Sequence, residues 1–333
     1  MKDFNGKIAV ITGAGTGMGR ALAIQLVSEG SSVAICDVLM DNLKETEELC
    51  KAEAAKDTLV TAHECDVSDE NQIIAFCDAV KQRHRTDHIN LLFNNAGLGG
   101  GGSFIMDERS VWDRVFSIDW FGVYYCTRAF MPLLMASQEG HIINISSVNG
   151  FWACLGPMGA HTAYSSAKFA VKGFTEALQV DLRINAPHVK ASVVMPGHIG
   201  TDIAINSNKV LGVNSVEEMT TEELTRSRER MQRSGVPTEG LSDEELRALI
   251  KQLRDDFRDT APMSPAQAAT VILDGVRNEQ WRILVGEDAE FLDEMIRENP
   301  ETAYEMSFLE LMDKEREKRG AGNILEALKP KEE

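Results

Sequence analysis

Positive charge is scarce in this chain: 34 lysines and arginines stand against 52 aspartates and glutamates, a formal net charge of −18. A nucleic-acid binder needs a basic stripe to neutralise phosphates, so no nucleic-acid partner is expected. The acidic surplus lies largely after residue 215, where it reads as solvated helix faces and implies no partner. The six cysteines, Cys36, Cys50, Cys65, Cys77, Cys126 and Cys154, form no C-x-x-C pair and lack the density of a secreted disulfide framework. Reduced thiols in a cytoplasmic protein fit them. No stretch approaches the roughly 18 apolar residues that would span a bilayer. The apolar part of the opening MKDFNGKIAVITGAG is too short for a secretory signal. His63, His141, His161 and His198 fall on separate segments without H-x-x-x-H spacing or cysteine partners, so no metal is expected. No G-x-S-x-G elbow surrounds Ser147, which argues against a hydrolase nucleophile there.

What is present is a packed-core composition, with 43% hydrophobic and 26% charged residues. The first two-thirds alternate short apolar runs with amphipathic stretches of helical length, the pattern of a parallel sheet with crossover helices. Strands are expected over Lys7 to Thr12, Ser32 to Cys36, Thr58 to Glu64, Ile89 to Asn94, His141 to Ile145, Lys190 to Met195 and, after an interruption, Arg282 to Val285. Helices are expected over Gly19 to Glu29, Leu39 to Ala55, Glu70 to Arg83, Ser110 to Ala136 and Ala163 to Asn185. Such a succession suggests a Rossmann-type, doubly wound α/β sheet, whose ligand crevice lies at the carboxyl ends of the strands. The expected organisation is a catalytic Rossmann domain over 1–205, a helical insertion over 206–261, a return to the core over 262–290 and an acidic helical tail over 291–333. Two helices are expected in the insertion, with capping signals at Thr221-Glu222-Glu223-Leu224 and Ser242-Asp243-Glu244-Glu245. A further helix, Pro265 to Asn278, precedes the last strand.

Directly after the first strand runs Thr12-Gly13-Ala14-Gly15-Thr16-Gly17-Met18-Gly19, opening a helix. Gly13, Gly17 and Gly19 permit a tight turn and let backbone approach a pyrophosphate at the positive end of that helix. In a βαβ unit this reads as a dinucleotide loop. Asp37 ends the second strand, where a carboxylate can accept both hydroxyls of the adenosine ribose and would repel a 2′-phosphate. Neither Val38 nor Thr16 supplies a compensating cation, which favours NAD over NADP. The plainer alternative is that Asp37 only caps the next helix.

Tyr164 and Lys168 lie four residues apart on one helix face. A tyrosine, with an ordinary pKa of about 10, acts near neutrality only if its phenolate is stabilised, and a neighbouring ammonium does that. Asn144-Ile145-Ser146-Ser147 ends one preceding strand, offering a hydroxyl to the same substrate oxygen, and Asn94-Asn95-Ala96-Gly97 ends another. With these motifs together, residues 5–205 resemble the short-chain dehydrogenase/reductase superfamily, in the branch with a T-G-x-x-x-G-x-G loop and a Y-x-x-x-K dyad; the likeness is weaker over 262–290.

That resemblance implies Tyr164 as general acid/base, Lys168 on the nicotinamide ribose and Ser147, or less clearly Ser146, orienting the substrate oxygen. It places Asp66 and Val67 beside adenine and Asn94, Asn95, Ala96 and Gly97 along the cofactor groove. Pro196-Gly197-His198-Ile199-Gly200-Thr201 matches the segment that seats the carboxamide. A homodimer or homotetramer is implied as well. Two departures stand out. Asp119 occupies a slot where the family usually has asparagine, whose backbone carbonyl holds a proton-relay water; its charge adds a pull on Lys168. The spacing from Ser147 to Tyr164, 17 residues, is longer than usual, which predicts a longer and more apolar loop bearing Phe151, Trp152, Leu155 and Met158.

The expected activity is an NAD-dependent interconversion of a secondary alcohol and a ketone on a bulky apolar substrate, with steroid-like, terpenoid, aromatic and hydroxyacyl compounds all open. The alternative is an NAD-binding regulatory or scaffold protein with reduced catalysis, which Asp119 alone supports. The stripe Leu246, Leu249, Ile250, Leu253 and Phe257 must bury against something. It packs either within the insertion or a neighbouring subunit, or partly over the substrate as a lid.

Overall fold

A computed structural model describes residues 1–100, 102–154, 160–233 and 235–319. Seven parallel strands, β1 (Ile8–Thr12), β2 (Ser32–Asp37), β3 (Val60–Glu64), β4 (Leu91–Asn94), β5 (Gly140–Ile145), β6 (Val189–Pro196) and β7 (Arg282–Val285), form one sheet in the order β3-β2-β1-β4-β5-β6-β7. All seven expected strands are present, most with ends shifted by a residue or two. Val10 pairs with Ala34 on one side and Leu92 on the other. The order therefore reverses between β1 and β4, the switch point where a doubly wound sheet opens its crevice. Successive strand residues feed opposite layers. Ala9, Ile11, Val33 and Ile35 enter one core, while Val10, Ala34, Cys36 and Leu92 enter the other. Because both faces are covered, these strands are continuously apolar rather than alternating.

The crossover helices are α1 (Gly17–Ser28), α2 (Met40–Glu53), α3 (Glu70–His84), α4 (Arg109–Phe116), α5 (Gly122–Met135) and α6 (Thr162–Asn185). The single helix expected over Ser110 to Ala136 is interrupted. A π-helical turn, Ser117–Phe121, separates α4 from α5. Apolar periodicity runs through this turn, so nothing in the pattern marks the extra residue.

The insertion departs from expectation as well. It holds three helices, α7 (Ile203–Val210), α8 (Thr221–Arg233) and α9 (Asp243–Asp259), and the first begins before residue 206. The cap of α8 lies one residue earlier than expected, where Thr220 and Glu223 exchange side chain-to-backbone bonds. The Ser242 capping box of α9 is present. Leu246, Leu249 and Ile250 pack with Val216, Met219, Leu224 and Met231 in a small core of the insertion's own, whereas Leu253 and Phe257 remain partly exposed. The helix α10 (Pro265–Arg277) then returns the chain along α1 to β7.

The tail folds back as α11 (Glu287–Glu298) and α12 (Met306–Lys318). Its acidic residues were read as solvated helix faces, and on its opposite, apolar side Phe291, Met295, Phe308, Leu309 and Met312 are buried around Trp152. Trp152 Nε1 donates to the Ala303 carbonyl at 2.8 Å, and the Ala153 N–H donates to the Tyr304 hydroxyl at 3.1 Å. Leu155 and Met158 lie outside the described residues, as does the tail beyond residue 319. Among the described residues no helix is long and apolar enough to cross a membrane, and no cluster of His, Cys, Asp and Glu could hold a metal.

Candidate active site

Two concavities meet at the carboxyl edge of the sheet. The first is a cleft over the β1–β4 switch point, bordered by Gly13, Thr16, Gly17, Met18, Asp37, Val38, Asp66, Val67, Asn95, Ala96, Gly97 and Thr201. Gly13 has φ +63°, and a Cβ there would lie 2.6 Å from Ala96 Cα, so the turn needs glycine both for its conformation and for its approach to the β4 loop. Asn95 Nδ2 secures that approach by donating to the Thr12 and Gly13 carbonyls, both at 2.9 Å.

Asp37 reaches the cleft, but its oxygens also hold the backbone. Oδ2 accepts from the Gly15 N–H and Oδ1 from the Leu39 N–H, each at 2.9 Å. The only arginine on the cleft wall among the described residues, Arg114, is paired with Asp66 at 2.6 Å.

Four expected cofactor residues sit behind the wall rather than on it. Gly19 packs against the Gly13 carbonyl. Asn94 is buried and donates to Thr127 and Asn144, tying strands to α5. Pro196 closes β6, and Ile199 is buried in the core. Gly197 borders the second concavity instead. The sequence placed these residues by motif, and a motif carries core residues alongside exposed ones.

The second concavity is a cavity of about 870 Å³, bordered by Ser147 and Tyr164 and walled mostly by apolar side chains. The Ser147 hydroxyl accepts the Asn149 N–H at 3.1 Å and favours the ionised form of Tyr164. Ser146 is turned away, donating to the Lys168 carbonyl at 2.8 Å, so Ser147 is the hydroxyl the cavity sees. Lys168 stands behind, its Nζ 5.4 Å from the Tyr164 ring centre, 2.9 Å from Asp119 Oδ1 and 3.2 Å from the Ile145 carbonyl it donates to. Burial pushes the Tyr164 hydroxyl above the ordinary tyrosine value, with Asp119 adding to the rise while Lys168 and Ser147 oppose it. Burial disfavours the Lys168 ammonium, but Asp119 and Tyr164 outweigh it and hold its pKa above the usual lysine value.

The far walls were foreseen in part, in Trp152 of the loop after β5 and in the insertion as a lid, but the tail's share was not. Val148, Asn149, Trp152 and His161 border the cavity from the loop after β5. Ile203, Ala204 and Ser207 come from α7, Phe257 from the end of α9, and Asp288, Phe291, Leu292, Leu309, Met312 and Arg316 from the tail. Helix α7 is fastened across both concavities. Asn206 Nδ2 donates to Thr16 Oγ1 at 2.9 Å, and Ser207 Oγ accepts the Gly99 N–H at 2.8 Å. Asp288 accepts the His198 N–H at 2.6 Å, so the first turn of α11 braces the Gly197–His198 turn. The burial of the tail's apolar face was the one sequence signal that could have pointed here, since Phe291, Met295, Leu309 and Met312 recur at helical spacings.

A glycine turn and carboxylate at the switch point, with a serine, tyrosine and lysine gathered beside it, match one family closely. The short chain dehydrogenase pattern matches residues 7–211. The chain belongs to the short-chain dehydrogenase/reductase family. A Mycobacterium tuberculosis protein named as the oxidoreductase SadH is 35% identical over 297 residues, covering 89% of this chain and 92% of SadH. Human dehydrogenase/reductase SDR family member 11 is 31% identical over 206 residues, covering 61% of this chain and 77% of that protein. Among solved structures, a short-chain dehydrogenase/reductase from Burkholderia phymatum in complex with NAD superposes with a TM-score of 0.67 at 26% identity, covering 100% of both chains. A metagenomic short-chain oxidoreductase in complex with NADP gives a TM-score of 0.51 at 33% identity, covering 58% of this chain and 83% of that one. Family membership makes this chain an oxidoreductase with a Rossmann-like fold.

Proposed function

We propose that the chain is an NAD-dependent dehydrogenase that interconverts a secondary alcohol and its ketone on a bulky, apolar substrate. The observation that carries this reading is the meeting of Tyr164 and Ser147 with an apolar cavity of about 870 Å³ beside the switch-point cleft. That volume lies within the range of sites for drug-sized ligands, roughly 300 to 1,000 Å³.

The cleft fits a dinucleotide. The Gly13–Gly19 turn lies at the start of α1, where backbone N–H groups attract a pyrophosphate, and Asp37 stands where the adenosine ribose would reach. Asp66 and Val67 border the adenine end, and Gly197 with Thr201 the nicotinamide end. Bound there, nicotinamide supplies or accepts the hydride. NAD is favoured over NADP because a 2′-phosphate would meet the Asp37 carboxylate, with Arg114 already committed to Asp66.

Tyr164 gives a proton to the nascent alkoxide in reduction and takes it back in oxidation, with Ser147 holding the same oxygen. Lys168 reaches the nicotinamide ribose and favours the phenolate. Helix α7 and the end of α9 cover the cavity from one side and the tail covers it from the other, excluding water from the reacting centre. Phe121 on the π-helical turn, Tyr124 on α5 and Phe169, Val180 and Ile184 on α6 leave exposed apolar surface, which supports a homodimer. The buried thiols of Cys36, Cys50, Cys65, Cys77 and Cys126 are in keeping with a reducing cytoplasm.

The test is a substrate series followed by NADH absorbance, from short alcohols to polycyclic and long-chain ones, with NADPH in parallel. Values of kcat/KM should rise with apolar bulk and be higher with NAD. Equal rates with both coenzymes would remove the Asp37 assignment, and no turnover of any alcohol or ketone would favour a regulatory NAD-binding role.

A further inference from the structure

We propose that Asp119 is a built-in counter-charge that cancels the Lys168 cation inside the site, so that Tyr164 keeps its proton through neutral pH and works there chiefly as a proton donor. This rests on the reading of Tyr164 as the acid/base.

The carboxylate is fully buried and 2.9 Å from Lys168 Nζ, whose side chain is only 4% exposed. Both of its oxygens are engaged. Oδ1 faces the ammonium, and Oδ2 accepts the Leu98 N–H at 3.2 Å. An asparagine in the same pose would set its amide N–H₂ against either the ammonium or the Leu98 N–H, donor facing donor in both orientations. Two donors converging from opposite sides require two acceptors, which only a carboxylate provides here. Space is reserved for the pair as well, since a Cβ on Gly97 would lie 2.6 Å from Asp119 Oδ1 and 3.2 Å from Lys168 Nζ. The π-helical turn carries Asp119 at its centre.

The electrostatic consequence follows from how the charges are arranged. A lysine cation near a phenol stabilises the phenolate, and an anion paired with that lysine removes much of the effect. Burial acts most strongly on Tyr164 and opposes the phenolate; among the groups around it, Lys168 and the Ser147 hydroxyl favour the phenolate and Asp119 opposes it. Cys154, His161, His198, Asp288 and Arg316 also border the cavity. The competent form for ketone reduction is the protonated phenol, and for alcohol oxidation the phenolate. Reduction should therefore run undiminished through neutral pH, and oxidation should climb as pH rises past it.

The experiment records kcat/KM against pH in both directions for the wild type, Asp119→Asn and Asp119→Glu. Asp119→Asn should move the rising limb of oxidation, and the falling limb of reduction, to lower pH by at least about one unit, a roughly tenfold gain in fractional oxidation rate below the limb. Asp119→Glu keeps the charge and should leave the limb in place even if the rate falls. An Asn variant whose limb does not move, or moves to higher pH, overturns the proposal, because a merely structural role would lower rates without shifting the limb. Should the Asn variant fail to fold, the phenolate absorbance of wild type minus Tyr164→Phe decides. Because burial also raises this hydroxyl, the readout is set against Asp119→Ala: ionisation of Tyr164 at lower pH in that variant than in the wild type supports the counter-charge, and ionisation at the same or a higher pH overturns the proposal. If Tyr164→Phe itself retains activity, the acid/base reading fails instead, a result distinguishable from an unmoved limb.

Discussion

The cleft and the cavity share one edge of one sheet, yet they draw on different parts of the chain. The cleft is built from turns at the ends of β1, β2, β3 and β4, closed by α7, all within the first 210 residues. The cavity takes its reacting corner, Ser147 and Tyr164, and the adjoining wall of Val148, Asn149, Trp152 and His161 from the core, and much of the remaining wall from α7, the end of α9, α11 and α12. The cleft's shape is fixed by backbone that the sheet itself requires, such as the Gly13 turn against Ala96. The cavity's shape is set by side chains on elements that can change without disturbing any strand. On the proposed reading, cofactor and substrate recognition answer to largely separate structural constraints, joined chemically at Tyr164 and structurally along α7, where Ile203 and Ser207 border both concavities.

Tyr164→Phe, at that junction, should produce the largest effect. Turnover should fall by about 10²-fold or more while the NAD dissociation constant, followed by NADH fluorescence, stays put. On the cleft side alone, Asp37→Ala should narrow the NAD-over-NADP preference in kcat/KM by about tenfold to a hundredfold, through loss of a charged hydrogen-bond acceptor. The KM for the alcohol should not follow. On the cavity side, Met312→Trp should fill space beneath the substrate and raise KM for a bulky ketone about tenfold, consistent with a packing penalty of roughly 1 to 3 kcal/mol, while a short ketone and NAD are unaffected. A parallel rise for the short ketone would show that the two concavities are not independent. The smallest effect belongs to Trp152→Phe, which loses the bond to Ala303 and should loosen the tail by about 1 kcal/mol, measured as faster proteolysis around residues 299–305.

The same division governs what could be read in advance. The sheet, its seven strands and the crossover helices were legible because continuous apolar runs and amphipathic stretches report burial directly. The positions of the glycine loop, Asp37, Tyr164 and Lys168 at the carboxyl edge were legible because each follows a recognisable strand or shares one helix face, while their roles belong to the proposed function. The cavity walls were legible only in part, in Trp152 and in the α9 stripe. Leu309 and Met312 look like any amphipathic helix, and whether such a face covers a core, a subunit or a ligand depends on where the chain turns back. The stripe on α9 was seen, but it divides, with Leu246 and Ile250 going to the insertion's own core and Phe257 reaching the cavity. Asn94 and Ile199 were placed by analogy at the cofactor, although hydrogen bonding and packing turn them into the interior.

The π-helical turn at Ser117–Phe121 makes the number of residues between α4 and α5 part of the active site. Each residue of an α-helix advances the chain by about 100°. Deleting one residue here would relax the turn into regular helix and swing Asp119 by about that angle relative to α5 and the strands beneath it. Leu98 and Lys168 would then face an empty position, with every side chain of the pair still encoded. A frame-preserving deletion of a single codon in this stretch would therefore remove the counter-charge from Lys168 as surely as replacing Asp119 itself.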